Sequence, residues 1–155
     1  MDEQKVLREH LLELLNGRSA HIDLESVIKD FPLEHINAFL ANSPHTAWDL
    51  LEHIRIAQWD ILEFSLDAKH RSPKWPEGYW PKKEATKAEW KTSVKQILKD
   101  LKAFKKLVAD KKTDLYAKIP HGDGQTILRE VLLVADHNAY HLGQLVLVKK
   151  MIVGD

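Results

Sequence analysis

Trp90, Val94, Ile97, Leu101, Phe104 and Val108 recur at steps of four, three, four, three and four. A strand would put such residues on both faces; a helix puts them on one. A seam of this kind, about five turns long, belongs to a helix packed in a bundle. Three other long segments carry helical apolar spacing. The first runs from about Asp2 to Asn16, with Val6, Leu7, His10, Leu11, Leu14 and Leu15 on its face and Asn16-Gly17 as its stop. The second spans about Thr46 to Asp67, with Leu50, His53, Ala57, Ile61 and Phe64 on one side. The last starts at Asp123 or Thr126, either of which suits a cap, and reaches about Met151. Between the first two, Val27, Ile28 and Phe31 read as half-buried, Pro32 interrupts, and Leu33 to Leu40 reads as a short helix. No segment alternates like a strand. The expectation is an all-α, four-helix bundle, with one domain over residues 1–155.

Two connections stand out. Ala68 to Lys83, between the second and third long helices, is a long loop with three prolines and three aromatics. Trp75, Tyr79 and Trp80 there either form a lid over a site or cover one end of the bundle. Pro120-His121-Gly122-Asp123-Gly124 is a tight entry into the last helix.

Composition removes whole classes of chemistry. There is no cysteine, hence no disulfide, thiolate metal site, iron–sulfur cluster or cysteine nucleophile, which fits a reducing cytoplasm. The N-terminus begins with charge and resembles no secretory signal. No apolar run is long enough for a membrane span. Basic and acidic residues number 23 each, so net charge does not call for a polyanion. Lys87, Lys91, Lys95, Lys99, Lys102 and Lys106 line the third helix and could track phosphates, but a solvated face opposite the seam is the simpler reading, and arginine is sparse.

The chemistry concentrates in the last helix. Val134, His137, His141, Leu145 and Val148 form one stripe, so two histidines four residues apart point into the core. His53 occupies a core-facing position on the second helix. Alone it reads as a core histidine bonded to a carbonyl. Three inward imidazoles are harder to dismiss, because each unmade buried hydrogen bond costs about 1–3 kcal/mol. A single divalent cation accepting a lone pair from each would resolve this, and three ligands leave open positions, as catalytic sites do. Histidine ligands suit zinc, copper, iron and nickel. His10, His21, His35, His45 and His70 fall in exposed or loop-like contexts and read as ordinary. Gln144 and Glu130 lie near the ligand face and are candidates to accept the histidines' second N–H. Asp60, seven residues after His53, is a candidate base or acceptor. Tyr140 is off the ligand face and reads as packing between helices. No Glu-x-x-His, His-Glu-x-x-His, Gly-rich phosphate loop or Gly-x-Ser-x-Gly is present.

Residues 120–130 (PHGDGQTILRE) and 135–144 (ADHNAYHLGQ) resemble the last helix of the DinB-like superfamily, and residues 43–54 (SPHTAWDLLEHI) resemble its second helix. The resemblance implies a metal-binding four-helix bundle, often a homodimer, with His53 as the first metal ligand and His137 and His141 as the pair. It implies zinc, nickel or a related divalent ion. Some members transfer low-molecular-weight thiols such as bacillithiol or mycothiol, and others isomerise or hydrolyse. The reading is of a metal that activates a small thiol or water against a small electrophile. The alternative is a non-catalytic, stress-related or sensor protein that binds metal.

Overall fold

The local sequence explains where each helix begins and ends in the computed structural model, which describes residues 2–41 and 43–154. Helix α1 (Glu3–Asn16) is capped by the Asp2 carboxylate and stops at Gly17. Gly17 has φ +66°, a left-handed conformation that costs a side-chain-bearing residue about 1–2 kcal/mol. Its N–H closes on the Glu13 and Leu14 carbonyls. Asp23 caps the short α2 (Leu24–Lys29). Helix α3 (Ala47–Leu66) opens with a reciprocal cap: Thr46 Oγ1 accepts the Asp49 N–H at 3.1 Å, and Asp49 Oδ2 accepts the Thr46 N–H at 2.9 Å. Thr86 and Glu89 do the same for α4 (Lys87–Ala109). Thr126 caps α5 (Ile127–Val153), which settles the choice against Asp123. Thr46→Ala is expected to lower stability by about 1 kcal/mol, because it leaves an N-terminal amide of the site-bearing helix without its acceptor. Chemical denaturation followed by helical circular dichroism reads this directly.

The chain is all-helical, with no strand among the described residues; an isolated bridge joins Lys118 and Thr126. The four long helices form the bundle. Helix α3 packs against both α4 and α5, and α1 also contacts both. The seam expected on α4 is the buried one: Trp90, Val94, Ile97, Phe104 and Val108 are within the core, and Leu101 packs at its edge. Two apolar clusters fill the interior. One gathers Ile28, Phe31, Leu51, Ile54, Trp90, Ile97 and Leu145; the other gathers Leu11, Leu15, Leu62, Phe104, Val131 and Val134. A polar crosslink also joins three helices: Gln58 Nε2 donates to the Ile97 carbonyl at 2.7 Å, and Asn138 Nδ2 donates to Gln58 Oε1 at 2.8 Å. Arg8 ties α1 to the end of α4 by donating to the carbonyls of Val108, Asp110 and Thr113.

Four expectations fail. Val27, Ile28 and Phe31 are buried in the core, not half-buried. Residues 33–40 are turns, not a helix: the His35 N–H bonds the Pro32 carbonyl and the Ala38 N–H bonds the His35 carbonyl, both three residues back. The Ile36 carbonyl is instead taken by the Trp48 N–H at the start of α3. On α1, His10 is exposed and Leu14 is 47% exposed, so the buried stripe is narrower than the apolar pattern. Tyr140 does not pack between helices; it is 65% exposed. The lysines at 87, 91, 95, 99, 102 and 106 are all exposed, as a solvated face requires.

Candidate metal centre

Positions 53 on α3 and 137 and 141 on α5 face each other because both helices turn their apolar stripes to the same interior. Each histidine offers a ring nitrogen, and all three nitrogens lie within 4.8 Å of one another. His53 Nε2 and His137 Nε2 are 3.1 Å apart. The rings are mutually inclined, with the His141 plane 83° from that of His53 and 59° from that of His137. One nitrogen of each ring is thus close enough to the other two for a single ion to reach all three. Among the described residues no other histidine or carboxylate joins the group.

The hydrogen bonds around the rings fix which nitrogen faces inward. His53 Nδ1 lies 2.9 Å from the Tyr79 carbonyl. A carbonyl only accepts, so Nδ1 carries the proton and Nε2 the lone pair. His141 Nδ1 lies 2.8 Å from Gln144 Oε1, which leaves its Nε2 free in the same way. Gln144 thus fills the role expected of it. Glu130 does not: it is buried, but its carboxylate takes Arg129 Nη1 at 2.8 Å, and no histidine bond to it is present. His137 Nδ1 is buried without a hydrogen-bond partner, as is Oδ1 of the adjacent Asn138.

Electrostatics keep the rings neutral. Burial pushes the His137 pKa down to about 4, reinforced by His141 and His53 and opposed by Asn138. Burial likewise lowers His53, against the raising effect of the Tyr79 carbonyl, and lowers His141 against Gln144. All three are therefore unprotonated at neutral pH, the form that coordinates metal.

The residues fit a divalent cation. A tetrahedral site with metal–nitrogen bonds of about 2.0–2.1 Å separates its nitrogens by roughly 3.3 Å, close to the 3.1 Å between His53 and His137. Two lone-pair nitrogens at this distance repel unless a proton or a cation lies between them. With a cation on Nε2, the proton of His137 would sit on Nδ1, which has no hydrogen-bond partner. The donor set holds nitrogen only, with no fourth protein ligand in the group.

The 67–86 loop completes the surroundings. Trp80 lies flat on His53, with ring centres 4.1 Å apart and planes 3° apart, and its ring also stacks with His45 at 4.1 Å. Tyr140 sets its ring against His141 at 4.8 Å. Trp75 is 69% exposed and touches Tyr79 rather than the triad. Of the three loop aromatics, only Trp80 contacts the histidines by its ring, and Tyr79 does so through its backbone. Three surface clefts of about 600, 780 and 500 Å³ are lined by none of the three histidines.

Several participants escape the sequence pattern. His45 reads as a loop residue, yet it stacks on Trp80. His70 reads as ordinary too, yet its side chain is 9% exposed and its Nε2 lies 2.7 Å from Asp60 Oδ1. Asp60 in turn does not touch His53. The Tyr79 carbonyl carries no side-chain signal at all, so no sequence pattern points to it.

The model of the DinB superfamily matches residues 18–145 of this chain, a span that contains all three histidines. No curated protein and no solved structure gives a match.

Proposed function

This chain belongs to the DinB superfamily, and on that footing we propose that it is a divalent-metal-dependent enzyme whose ligands are His53, His137 and His141. The single observation that carries this reading is the convergence of three neutral imidazoles, two held with Nδ1 protonated by outside acceptors, on one point. Zinc or nickel suits such a nitrogen set. A cation there makes water or a small thiol nucleophilic at neutral pH. The chain's own residues supply the rest. The Tyr79 carbonyl and Gln144 orient two of the rings, while the Trp80 and Tyr140 rings against His53 and His141 offer an apolar face to a small electrophile. In a thiol transfer, the sulfur bonds to the electrophilic carbon as its leaving group departs, and the thiol proton passes to solvent.

The protein acts in this role as one metal-binding domain, in the cytoplasm and as a homodimer. For the dimer the supporting feature is a row of exposed apolar residues on α5: Leu132, Tyr140, Leu147 and Met151. A non-catalytic sensor is the second reading. Its support is that none of the three clefts is lined by a histidine of the triad. The experiment compares metal-free and reloaded protein with a small thiol and an alkylating electrophile, and separately with an activated ester. Turnover that appears only on reloading supports the enzyme; equal rates in both forms contradict it, and metal binding without turnover favours the sensor.

Gln144→Ala removes the acceptor from His141 Nδ1. It is expected to weaken metal binding about 10–100-fold, the usual cost of losing a ligand's outer partner, as measured by competition with a chromophoric chelator.

A further inference from the structure

His53 takes its orientation from an unusual source. Its Nδ1 partner is not a side chain of the bundle but the backbone carbonyl of Tyr79, 26 residues later in the chain. Tyr79 ends a 3₁₀ turn (Glu77–Tyr79) in the middle of the 67–86 loop. A carbonyl on so long a connection orients a ring only if the loop itself is held.

The far end of the loop is held by Asn37, which exchanges two hydrogen bonds with the Ala85 backbone, and by Trp48 Nε1, which donates to the Lys83 carbonyl. Neither reaches Tyr79. The middle is held by Asp60. Its Oδ2 accepts the Tyr79 hydroxyl at 2.6 Å, and its Oδ1 meets His70 Nε2 at 2.7 Å near the start of the loop. Asp60 is 8% exposed and sits two helical turns beyond His53, on the same side of α3. A carboxylate is costly to bury unless its oxygens are bonded, and here both are bonded, each to a different part of one loop. Burial, then the Asp60 contact, raises the Tyr79 phenol to about 12, so it stays a donor at neutral pH.

Resting on the metal-centre reading, we propose that Asp60 is a positioning residue for His53: through the Tyr79 hydroxyl and His70 it fixes the loop whose Tyr79 carbonyl sets the His53 tautomer and whose Trp80 covers its ring. Asp60 itself does not touch the centre. It acts through the loop, and the phenol of Tyr79 is the link.

The test uses Tyr79→Phe, which removes the link and keeps the backbone carbonyl, together with Asp60→Asn. Two readouts are taken on the full chain. The first is the nitrogen chemical shifts of the His53 ring in metal-free protein, which report its tautomer. The second is affinity for Zn²⁺ or Ni²⁺ alone. The parent protein should show His53 protonated on Nδ1. Both variants should shift it toward a mixture of tautomers and weaken metal binding about 10–100-fold, while His141, held by Gln144, keeps its signature. A purely structural Asp60 would lower the melting temperature and leave the His53 tautomer and metal affinity unchanged, and that result overturns the proposal. If Asp60→Asn does not fold, Tyr79→Phe decides alone. If the parent binds no metal, the metal-centre reading fails, and the metal-free tautomer comparison still tests the clamp.

Discussion

Alanine at any one of positions 53, 137 or 141 is expected to strip the protein of its metal, whereas alanine at His10 or His35 leaves metal content unchanged. The expectation follows from the ligand count. Among the described residues three histidine nitrogens make up the proposed ligand group, so each variant would leave only two. The affinity lost should exceed the roughly 10–100-fold that accompanies loss of an outer partner alone. His10 and His35 are exposed and belong to no such group, which makes them fair controls. His70 is not a fair control, although its sequence context suggests one, because it is bonded to Asp60 and through it to the loop over His53. Metal content by elemental analysis, on protein purified without an affinity tag, reads the comparison. Equal metal in all five variants would end the triad assignment.

Acid is expected to act twice on the same rings. In metal-free protein the His137 pKa is about 4, below the ordinary 6.5. Above pH 6.5 the ring is neutral folded or unfolded and adds no pH dependence. Between 6.5 and 4 the unfolded chain binds the proton and the folded protein resists it, so stability falls as pH falls. Each tenfold difference in proton affinity between the folded and unfolded ring is worth about 1.4 kcal/mol, so His137 alone accounts for a loss of about 3 kcal/mol by pH 4. His53 and His141 are lowered in the same direction, and because their charges help to lower His137 the three rings share this loss. Urea unfolding of metal-free protein from pH 7.5 to 4.5 measures the slope, and His137→Gln should flatten it. A level profile in the parent would mean that the rings are not buried neutral. In loaded protein, protons compete with the cation for the same lone pairs, so metal should leave as pH drops below about 6. Retention at pH 4 would point to ligands other than histidine.

The parts of the fold set by periodicity were legible in the sequence. The Trp90–Val108 seam is the buried face of α4, and Gly17 and Thr126 bound their helices as their chemistry suggests. The stripe Val134, His137, His141, Leu145, Val148 faces the interior, and His53 meets it there. Periodicity failed where tertiary partners override it. Residues 33–40 carry helical spacing, but Ile36 gives its carbonyl to Trp48 and Phe39 is 74% exposed. Tyr140 lies outside the stripe and stays 65% exposed, its ring against the adjacent His141.

The surroundings of the triad were less legible, because they come from the 67–86 loop. Its approach to α3 depends on backbone geometry and on Asp60, His70 and Tyr79 meeting across 19 residues of chain. Gln144 was readable because i+3 on a helix is a fixed neighbour. The Tyr79 carbonyl was not, since no residue type announces it.

X-ray absorption at the metal edge of the loaded protein reads the ligands of the ion itself. One metal per chain with three imidazole nitrogens at about 2.0–2.1 Å is expected, and loss of that pattern when His137 is replaced by alanine. A metal surrounded by oxygen alone, or the same spectrum from the His137→Ala protein, would contradict the three-histidine centre.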